Sequence, residues 1–510
     1  MTITSKRGAR SLLGTSVAVA LIATACGSDD DESSSSTDAP TESDTPAETD
    51  APTESDAPAE TDAPTESDGG DGVRLGIMGE CEGGFAGFAE DVVAGATLPF
   101  INEAGATSNS PTTAMDGFSG ASVGGVGVEL VGIGCGDDTA DRAIQEIRTL
   151  VEEDGANVVI GPLSGDEGSA IADYALDHPE VTFINGISGA QEATLHVQAP
   201  NFFRFNGDGA QWNAGVGDFV YNENGWRTAA VIADDYGFGW TSSAGMVADF
   251  CAAGGEIISY VYPPLNGADY ASFVEQLPDP DEVDGYFWAV GGDTNASLQA
   301  FVNSKGDIVG EQFAGNLFFD PTLAEALGTG IAGAYVGGFA SLPGDISTPE
   351  ITAYLESADA AWDTRTSGAM TGGEPGDPST VLGFGFAYGY YSGAQAFIEA
   401  LDAVGGDLSD NHSALRAELS SMTVDLPYGP VTLDENRQAI VDTAVTQLYV
   451  NDAGELDQKT VAIIPGVDQT FGGTFSTETD PPERDNTSCE IRELPWQGNS
   501  IPVVDGVPQR

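Results

Sequence analysis

Residues 128–184 read VELVGIGCGDDTADRAIQEIRTLVEEDGANVVIGPLSGDEGSAIADYALDHPEVTFI, and this stretch decides the fold. Its short apolar runs, each bounded by glycine, proline or polar residues, predict strands at 128–133, 158–160 and 181–184. The segments between them have helical periodicity and predict helices at 138–154 and 167–178. Strands that alternate with helices in this way predict a parallel sheet with helices on both faces.

The same alternation extends in both directions from this stretch. Upstream, a strand is predicted at 73–78 and a helix at 88–104. Downstream a second series begins, with predicted strands at 228–233, 256–260, 285–290 and 312–315 and predicted helices at 239–253, 270–276 and 294–304. Two separate series predict an α/β protein with two doubly wound parallel-sheet lobes, whose ligands bind beyond the carboxyl ends of the strands.

The charge of the chain is strongly one-sided. Among 510 residues there are 81 acids against 16 lysines and arginines, for a net charge of −65, while 41% of residues are hydrophobic. Such a surface repels nucleic acid phosphates and anionic lipid headgroups, so neither is an expected partner. The hydrophobic fraction is sufficient for a packed core.

The N-terminal residues have the layout of a secretory signal peptide. Basic residues up to Arg10 precede an apolar run at 12–25, which is too short for a stable membrane span. The run ends in Ala23-Thr24-Ala25-Cys26-Gly27, which resembles a bacterial lipobox with Ala23 in place of the usual leucine. We therefore expect residues 1–25 to be a lipoprotein signal peptide and Cys26 to be lipidated. The alternative is ordinary cleavage with Cys26 as a bystander.

Residues 26–72 predict a disordered acidic linker rich in proline, serine and threonine. The sequence TDAPTESD occurs at 37–44, 49–56 and 61–68, and residues 27–71 contain sixteen acids and no base. No large apolar residue is present to form a core, and the like charges favour an extended chain. The linker is expected to hold the globular part away from the lipid.

The order of several short motifs resembles the type I periplasmic binding proteins of the leucine/isoleucine/valine-binding family. The resemblance covers about residues 73–465 and rests on Arg74–Gly79, Gly125–Leu130, Ile160–Ser164, Phe203–Phe205, Asp235–Gly237 and Tyr428–Asn436. It implies two lobes joined by a three-strand hinge. It also implies a monomer without a cofactor that captures a small solute, such as an amino acid, amide or related amphipathic compound, and delivers it to the permease of an ABC transporter outside the cytoplasm.

The resemblance also sets expected boundaries for the lobes. The first lobe would comprise residues 73–206 and 338–426, and the second would comprise residues 207–337 and 427–465. Residues 466–510 lie beyond the family fold and are expected to form a tail that packs on the second lobe. A sensory module that signals through a membrane receptor has the same features and is the alternative function.

Carried over residue by residue, the resemblance implies a ligand site with altered contacts. The family's hydroxyl at the helix N-terminus aligns with Gly165, or with Ser164 in a shifted register, and its second hydroxyl falls at Ser188-Gly189. Its acid for the ligand ammonium falls near Leu317. The two glycines are expected to open volume and to let a ligand oxygen approach the backbone amides.

Two aromatic residues and three acids complete the expected ligand contacts. Phe88 and Tyr236 align with aromatic cleft residues of the family, although a core role for Phe88 and a turn role for Tyr236 are the alternatives. Asp166, Asp293 and Asp320 fall on loops at the predicted cleft. In so acidic a chain, acids also occur near any site by chance, and Asp166 suits its own helix N-terminus.

Four cysteines remain after Cys26, and an even number outside the cytosol predicts two disulfides. Three pairings are possible. Cys81 and Cys135 both follow early strands at the same edge of the first sheet, which favours their pairing and leaves Cys251 with Cys489. No cysteine pair has the spacing of a metal finger.

Two patterns suggest enzymes, and neither is convincing in its context. Gly120–Gly124 fits a nucleophile-elbow pattern but lacks the strand before it and the helix after it. Gly132–Gly136 follows a strand but lacks the spacing of a dinucleotide-binding loop, and Asp137 and Asp138 would repel phosphate. We therefore expect no catalytic residue, no cofactor and no metal site.

Overall fold

Two parallel sheets organise the chain, and helices pack on their faces. The computed structural model describes residues 72–265, 267, 269–291, 294–316, 327–338, 348–362, 385–485 and 489–509. Its helices are α1 (Ala89–Glu103), α2 (Ala140–Arg148), α3 (Gly165–Asp177), α4 (Glu192–Leu195), α5 (Gly209–Trp212), α6 (Val216–Asn222), α7 (Gly237–Ala253), α8 (Ala271–Val274), α9 (Thr294–Lys305), α10 (Pro349–Ala361), α11 (Gly385–Ala403) and α12 (Ser409–Ser421).

The first sheet has the strand order β4-β5-β1-β6-β7-β8. All its neighbouring strands are parallel except the β4–β5 pair. The strands of this part of the chain are β1 (Val73–Glu80), β2 (Thr107–Ser108), β3 (Phe118–Ser119), β4 (Ala121–Val123), β5 (Val126–Gly136), β6 (Val158–Ile160), β7 (Thr182–Ile184) and β8 (Phe202–Phe203). Strand β1 lies inside the sheet beside β6. Because the two strands are parallel, the loops that follow them leave the sheet at the same edge.

The second sheet repeats this arrangement and then extends it. Its order is β10-β9-β11-β12-β13-β16-β17-β18-β19, parallel as far as β13 and antiparallel beyond it, and β14 and β15 pair beside β16. Its strands are β9 (Thr228–Ala233), β10 (Glu256–Val261), β11 (Gly285–Ala289), β12 (Phe313–Gly315), β13 (Tyr335–Gly337), β14 (Thr423–Leu426), β15 (Gly429–Leu433), β16 (Ala439–Val450), β17 (Leu456–Val467), β18 (Ile501–Val504) and β19 (Val507–Pro508). This is the predicted type I periplasmic binding protein fold.

The segments that cross between the two lobes are bonded to one another. Arg204 N donates to the carbonyl of Arg437 at 3.0 Å, and Ala439 N donates to the carbonyl of Arg204 at 2.9 Å. The Arg204 side chain is fully buried and donates to the carbonyl of Ala190 at 2.7 Å. Burial lowers the pKa of Arg204 to about 10, while the Asp208 carboxylate acts in the opposite direction. These bonds tie two of the crossing segments into one hinge.

Two disulfides join the pairs of cysteines that the strand positions favour. Cys81, which directly follows β1, bonds to Cys135 near the end of β5, with the two Cα atoms 5.0 Å apart. Cys251 at the end of α7 bonds to Cys489 with the Cα atoms 5.3 Å apart. The second bond ties the C-terminal residues to the second lobe.

The C-terminal residues also contact the second lobe through buried side chains. The Trp496 ring is buried 4.6 Å from the ring of Phe471, and its Nε1 donates to Asp249 Oδ1 at 3.0 Å. Burial raises the pKa of Asp249 to about 7, and the bond from Trp496 opposes that rise. These contacts lie in the same core as helix α7.

Removal of the Cys251–Cys489 bond is expected to lower the free energy of unfolding. The bond closes a long loop, because its partners are 238 residues apart, so it restricts the unfolded chain strongly. We expect Cys489→Ser to cost about 2–4 kcal/mol in urea unfolding under oxidising conditions. The difference from the unmodified protein should disappear when both are fully reduced. An unchanged unfolding midpoint under oxidising conditions would contradict the assignment.

Candidate functional site

Two helix N-termini, one from each lobe, meet at the site. Helix α3 begins at Gly165, two residues before its predicted start, and α7 begins at Gly237, also two residues early. Asp166 Oδ1 accepts a hydrogen bond from Gly237 N at 2.9 Å across this contact. Burial raises the pKa of Asp166, and the bond from Gly237 opposes that rise. The lobes are therefore in contact at the carboxyl ends of their strands.

The glycines that were expected to open volume for a ligand are packed against the second lobe. A Cβ atom at Gly165 would lie 2.7 Å from Phe238 N. A Cβ atom at Gly189 would lie 2.9 Å from Trp212 Cζ3 and 3.0 Å from Phe238 Cδ2. The expectation of open volume is therefore wrong for this closed arrangement. Glycine is required at both positions because neighbouring protein atoms occupy the space.

A small apolar cavity remains where the lobes meet, and we call it the cleft cavity. Its volume is about 10 Å³, no more than a single water molecule requires. Its lining comes from both lobes and consists of Phe85, Leu163, Gly165, Ile187, Gly189, Trp212, Tyr236, Phe238 and Phe386. A solute can enter only when the lobes separate, since the side chains fill the cleft.

Of the two aromatic residues expected at the cleft, Tyr236 lines the cleft cavity and Phe88 lies behind its wall. Tyr236 lines the cleft cavity, and its ring lies 5.8 Å from that of Phe238. Burial raises the pKa of Tyr236 well above its usual range, and nearby acids, Asp234 first, raise it further. Phe88 packs edge-on against Phe386 at 4.7 Å, whereas Phe85 and Phe386 form the cavity wall. Phe88 thus supports the aromatic wall rather than lining the cavity.

The hydroxyls near the cleft also differ in their contacts. Ser188 Oγ donates to Asn185 Oδ1 at 2.7 Å and packs against Gly168 of α3. Ser164 Oγ is buried and has no hydrogen-bond partner. Asp293 and Asp320 lie outside the described residues, as does Leu317.

A pair of buried acids lies directly behind the N-terminus of α3. Glu80 and Glu167 are fully buried, and their carboxyl groups lie close enough to affect each other's pKa. Glu80 Oε1 accepts from Ser164 N at 3.1 Å, and Glu167 Oε1 accepts from Asp137 N and Asp138 N, both at 3.1 Å. Burial raises the pKa of Glu167 strongly, and the nearby Glu80 carboxyl group adds to the effect. Two buried carboxyl groups in such proximity disfavour ionisation of both, so we expect the pair to share a proton at neutral pH.

The pair predicts how stability depends on pH. Because the folded pKa of Glu167 lies above its unfolded value, its contribution to stability is complete below the unfolded pKa and is lost as pH rises. Glu167→Gln keeps a neutral partner for Glu80 and is expected to remove this loss, worth up to about 1.4 kcal/mol per pH unit. In urea unfolding from pH 5 to pH 8, the advantage of the variant should grow with pH. The exposed control Glu153→Gln should run parallel to the unmodified protein, and a parallel Glu167→Gln curve would refute the shared proton.

These acids change what the site can bind. In the family, backbone amides at the start of α3 are expected to hold a ligand carboxylate, which a helix N-terminus favours. In this chain Ser164 N bonds to Glu80, and Gly237 N bonds to Asp166. Protein carboxylates thus already occupy amides of both helix termini, and a ligand carboxylate would have to compete with them.

The two sequence patterns that suggest enzymes, at residues 120–124 and 132–136, lie in or beside strands β4 and β5. Ser122 lies in β4, which forms a hairpin with β5, and its Oγ donates to the carbonyl of Val126 at 3.0 Å. The glycines at 132–136 lie within β5. Within the described ranges, the histidine, cysteine, aspartate and glutamate side chains form no group of three that could hold a metal ion. The helices in those ranges also include none with the length and apolarity of a membrane span.

Comparison with known families agrees with the fold. The model of a family described as periplasmic binding protein matches residues 72–455, which is most of the chain. The chain therefore belongs to the periplasmic binding protein family, whose members are transport binding proteins rather than enzymes. No curated protein sequence matches the chain.

Solved structures share the fold over most of their length. An ABC transporter substrate-binding protein from Sphaerobacter thermophilus is 22% identical, with a TM-score of 0.61 over 78% of this chain and 99% of that one. A solute-binding protein from Rhodopseudomonas palustris BisB5, in complex with 3,4-dihydroxybenzoic acid, is 20% identical, with a TM-score of 0.61 over 78% and 98%. A leucine-binding protein from Thermotoga maritima is 17% identical, with a TM-score of 0.57 over 77% and 99%.

Proposed function

We propose that the protein is the extracytoplasmic substrate-binding component of an ABC transporter and has no catalytic role. The observation that supports this most strongly is the contact of α3 and α7 across an aromatic-lined cleft in a two-lobed hinge fold. A solute held between the lobes would be enclosed when they close, and the closed form would be presented to the permease. The family's transport role favours this function over a sensory module.

The side chains at the cleft favour a small planar or apolar solute without a negative charge. Tyr236, Phe238, Trp212, Phe85 and Phe386 supply ring surfaces from both lobes. A relative that carries a dihydroxybenzoic acid supports a planar solute in this fold. Asp166, Glu80 and Glu167 occupy the positions near which a carboxylate would lie, so an amide or alcohol suits the site better. Ser164 Oγ and the phenol of Tyr236 would provide its polar contacts.

A thermal-shift screen tests solute capture. The compounds would be aromatic amides and alcohols, urea, polyamines, amino acids and aromatic acids. A solute that binds only the folded state raises the melting temperature, and the rise increases with the ratio of its concentration to its dissociation constant. We expect the largest rise from an aromatic amide or alcohol. A melting temperature that none of these classes changes would overturn the proposed function.

We further propose that the protein is a monomer anchored by lipid on Cys26 to the outer face of the cell membrane. The lipobox-like residues before Cys26 and the acidic linker after it support this, and both lie outside the described residues. The acyl chains that lipobox processing adds would anchor firmly. Cys26→Ser should move the protein from the membrane fraction to the soluble fraction. Retention of the variant on membranes at high salt would refute the anchor.

A further inference from the structure

A second and much larger cavity lies at the hinge, and we call it the hinge cavity. Its volume is about 840 Å³, within the range of small-molecule sites. Tyr388 of α11 and Tyr428 before β15 line one side, and Thr443 of β16 and Ile463 of β17 line another. Trp212 lines both this cavity and the cleft cavity, so its indole is a shared wall between two separate spaces.

The polar side chains of the hinge cavity offer acceptors. Asn206 Nδ2 donates to the carbonyl of Gly186 at 2.6 Å, which leaves its Oδ1 buried without a hydrogen-bond partner. Thr443 Oγ1 donates to the carbonyl of Gly338 at 3.1 Å, so its hydroxyl hydrogen is used and the oxygen can only accept a further bond.

Three acids complete this lining, and they are Glu350, Asp425 and Asp442. Among the described residues that line the cavity there is no lysine, arginine or histidine. A ligand with a positive charge is attracted by these acids.

Aromatic rings beside these acceptors suit the same ligand. Tyr428 is half-buried and packs edge-on against Tyr388, with ring centroids 4.5 Å apart. Phe205 and Trp212 contribute further ring surface to the lining. Cations are attracted to the faces of such rings, and the attraction adds to that of nearby carboxylates.

We propose that the hinge cavity is a second ligand site, which binds a small organic cation such as an alkylated or aromatic amine. The site is separate from the cleft, and it does not depend on the proposed transport function or on the identity of the transported solute. Its three acids lie on elements of both sides of the cavity, namely α10, β14 and β16.

Calorimetry with choline tests the site, with 3,3-dimethylbutan-1-ol as an uncharged probe of the same shape. We expect saturable one-to-one binding of choline and at least about tenfold weaker binding of the alcohol. The variant Glu350→Gln/Asp425→Asn/Asp442→Asn should lose at least about tenfold in choline affinity. Its side chains keep their size, and the removed charges are exposed or have backbone partners, so folding is preserved.

A matched variant distinguishes a specific site in the cavity from the nonspecific attraction of a cation to an acidic surface. Asp173→Asn/Glu256→Gln/Asp281→Asn removes the same charge from exposed positions away from the cavity and should bind choline as the unmodified protein does. Absence of saturable choline binding at millimolar concentration would overturn the proposal. An equal loss of affinity in both triple variants would also overturn it. If no solute for the cleft were found in the thermal-shift screen, the choline affinities of the protein and its variants would still test the hinge cavity.

Discussion

Gly165→Ala is expected to weaken solute binding in the cleft by about 10- to 100-fold while both lobes remain folded. The added methyl group would lie 2.7 Å from Phe238 N, and a backbone atom cannot rotate away as a side-chain end can. Overpacking of this kind costs about 1–3 kcal/mol, and that cost falls on the closed form because the clash exists only when the lobes meet. The measurement is calorimetry with 4-hydroxybenzamide at pH 7.

The control for this prediction is Gly127→Ala in strand β5. Gly127 is exposed, and no atom lies within 4 Å of its Cβ position, so the same chemical change there should leave the affinity unaltered. Urea unfolding of both variants checks that the lobes are intact. If Gly165→Ala binds as tightly as Gly127→Ala, the contact between α3 and α7 is not part of the solute-bound state.

The second large effect concerns the charge of the solute. We expect 4-hydroxybenzamide to bind about 100-fold more tightly than 4-hydroxybenzoate, two molecules of nearly the same shape. A carboxylate about 6 Å from one protein carboxylate is disfavoured by about 2–3 kcal/mol at an effective dielectric constant of 20, which corresponds to that ratio. The carboxylates concerned are those of Asp166 and of the Glu80–Glu167 pair, which hold amides of the two helix termini.

Lowering the pH provides an internal control for the effect of charge. As the pH approaches the pKa of the benzoic acid, its neutral form accumulates, and the difference between the two probes should shrink. The amide itself does not titrate in this range, so its affinity reports any change in the protein. Tighter binding of the benzoate at pH 7 would show that a cation or free amide in the cleft offsets these acids.

The two parallel-sheet series could be predicted from the sequence, because alternating apolar and helical segments leave few arrangements. The crossing of the chain between the lobes was implied by the family resemblance. The strands at 158–160 and 228–233 begin and end where their apolar runs do. The disulfide between Cys81 and Cys135 followed from their positions after neighbouring strands. The helix starts at Gly165 and Gly237 were placed two residues late, because glycine has a low helix propensity and the contact between lobes overrides it.

The chemistry of the cleft was harder to predict, because it depends on contacts between distant residues. A glycine in the sequence does not tell whether a ligand or a neighbouring ring fills the space beside it, and Trp212 and Phe238 fill it here. The pairing of Glu80 with Glu167 joins residues 87 positions apart and has no local pattern. Phe85 could have been predicted as a cleft residue, because it lies three residues before Phe88 and a helical turn brings both side chains to one side.

The central claim is that the cleft captures a solute other than a branched-chain amino acid. The family's hydroxyl positions are glycines packed against Phe238, and a free α-amine that is desolvated without a partner loses several kcal/mol. Calorimetry with leucine, isoleucine and valine tests this most directly. We predict no binding of the three amino acids in the submicromolar range, alongside measurable binding of 4-hydroxybenzamide. Submicromolar binding of any of the three amino acids would contradict the account.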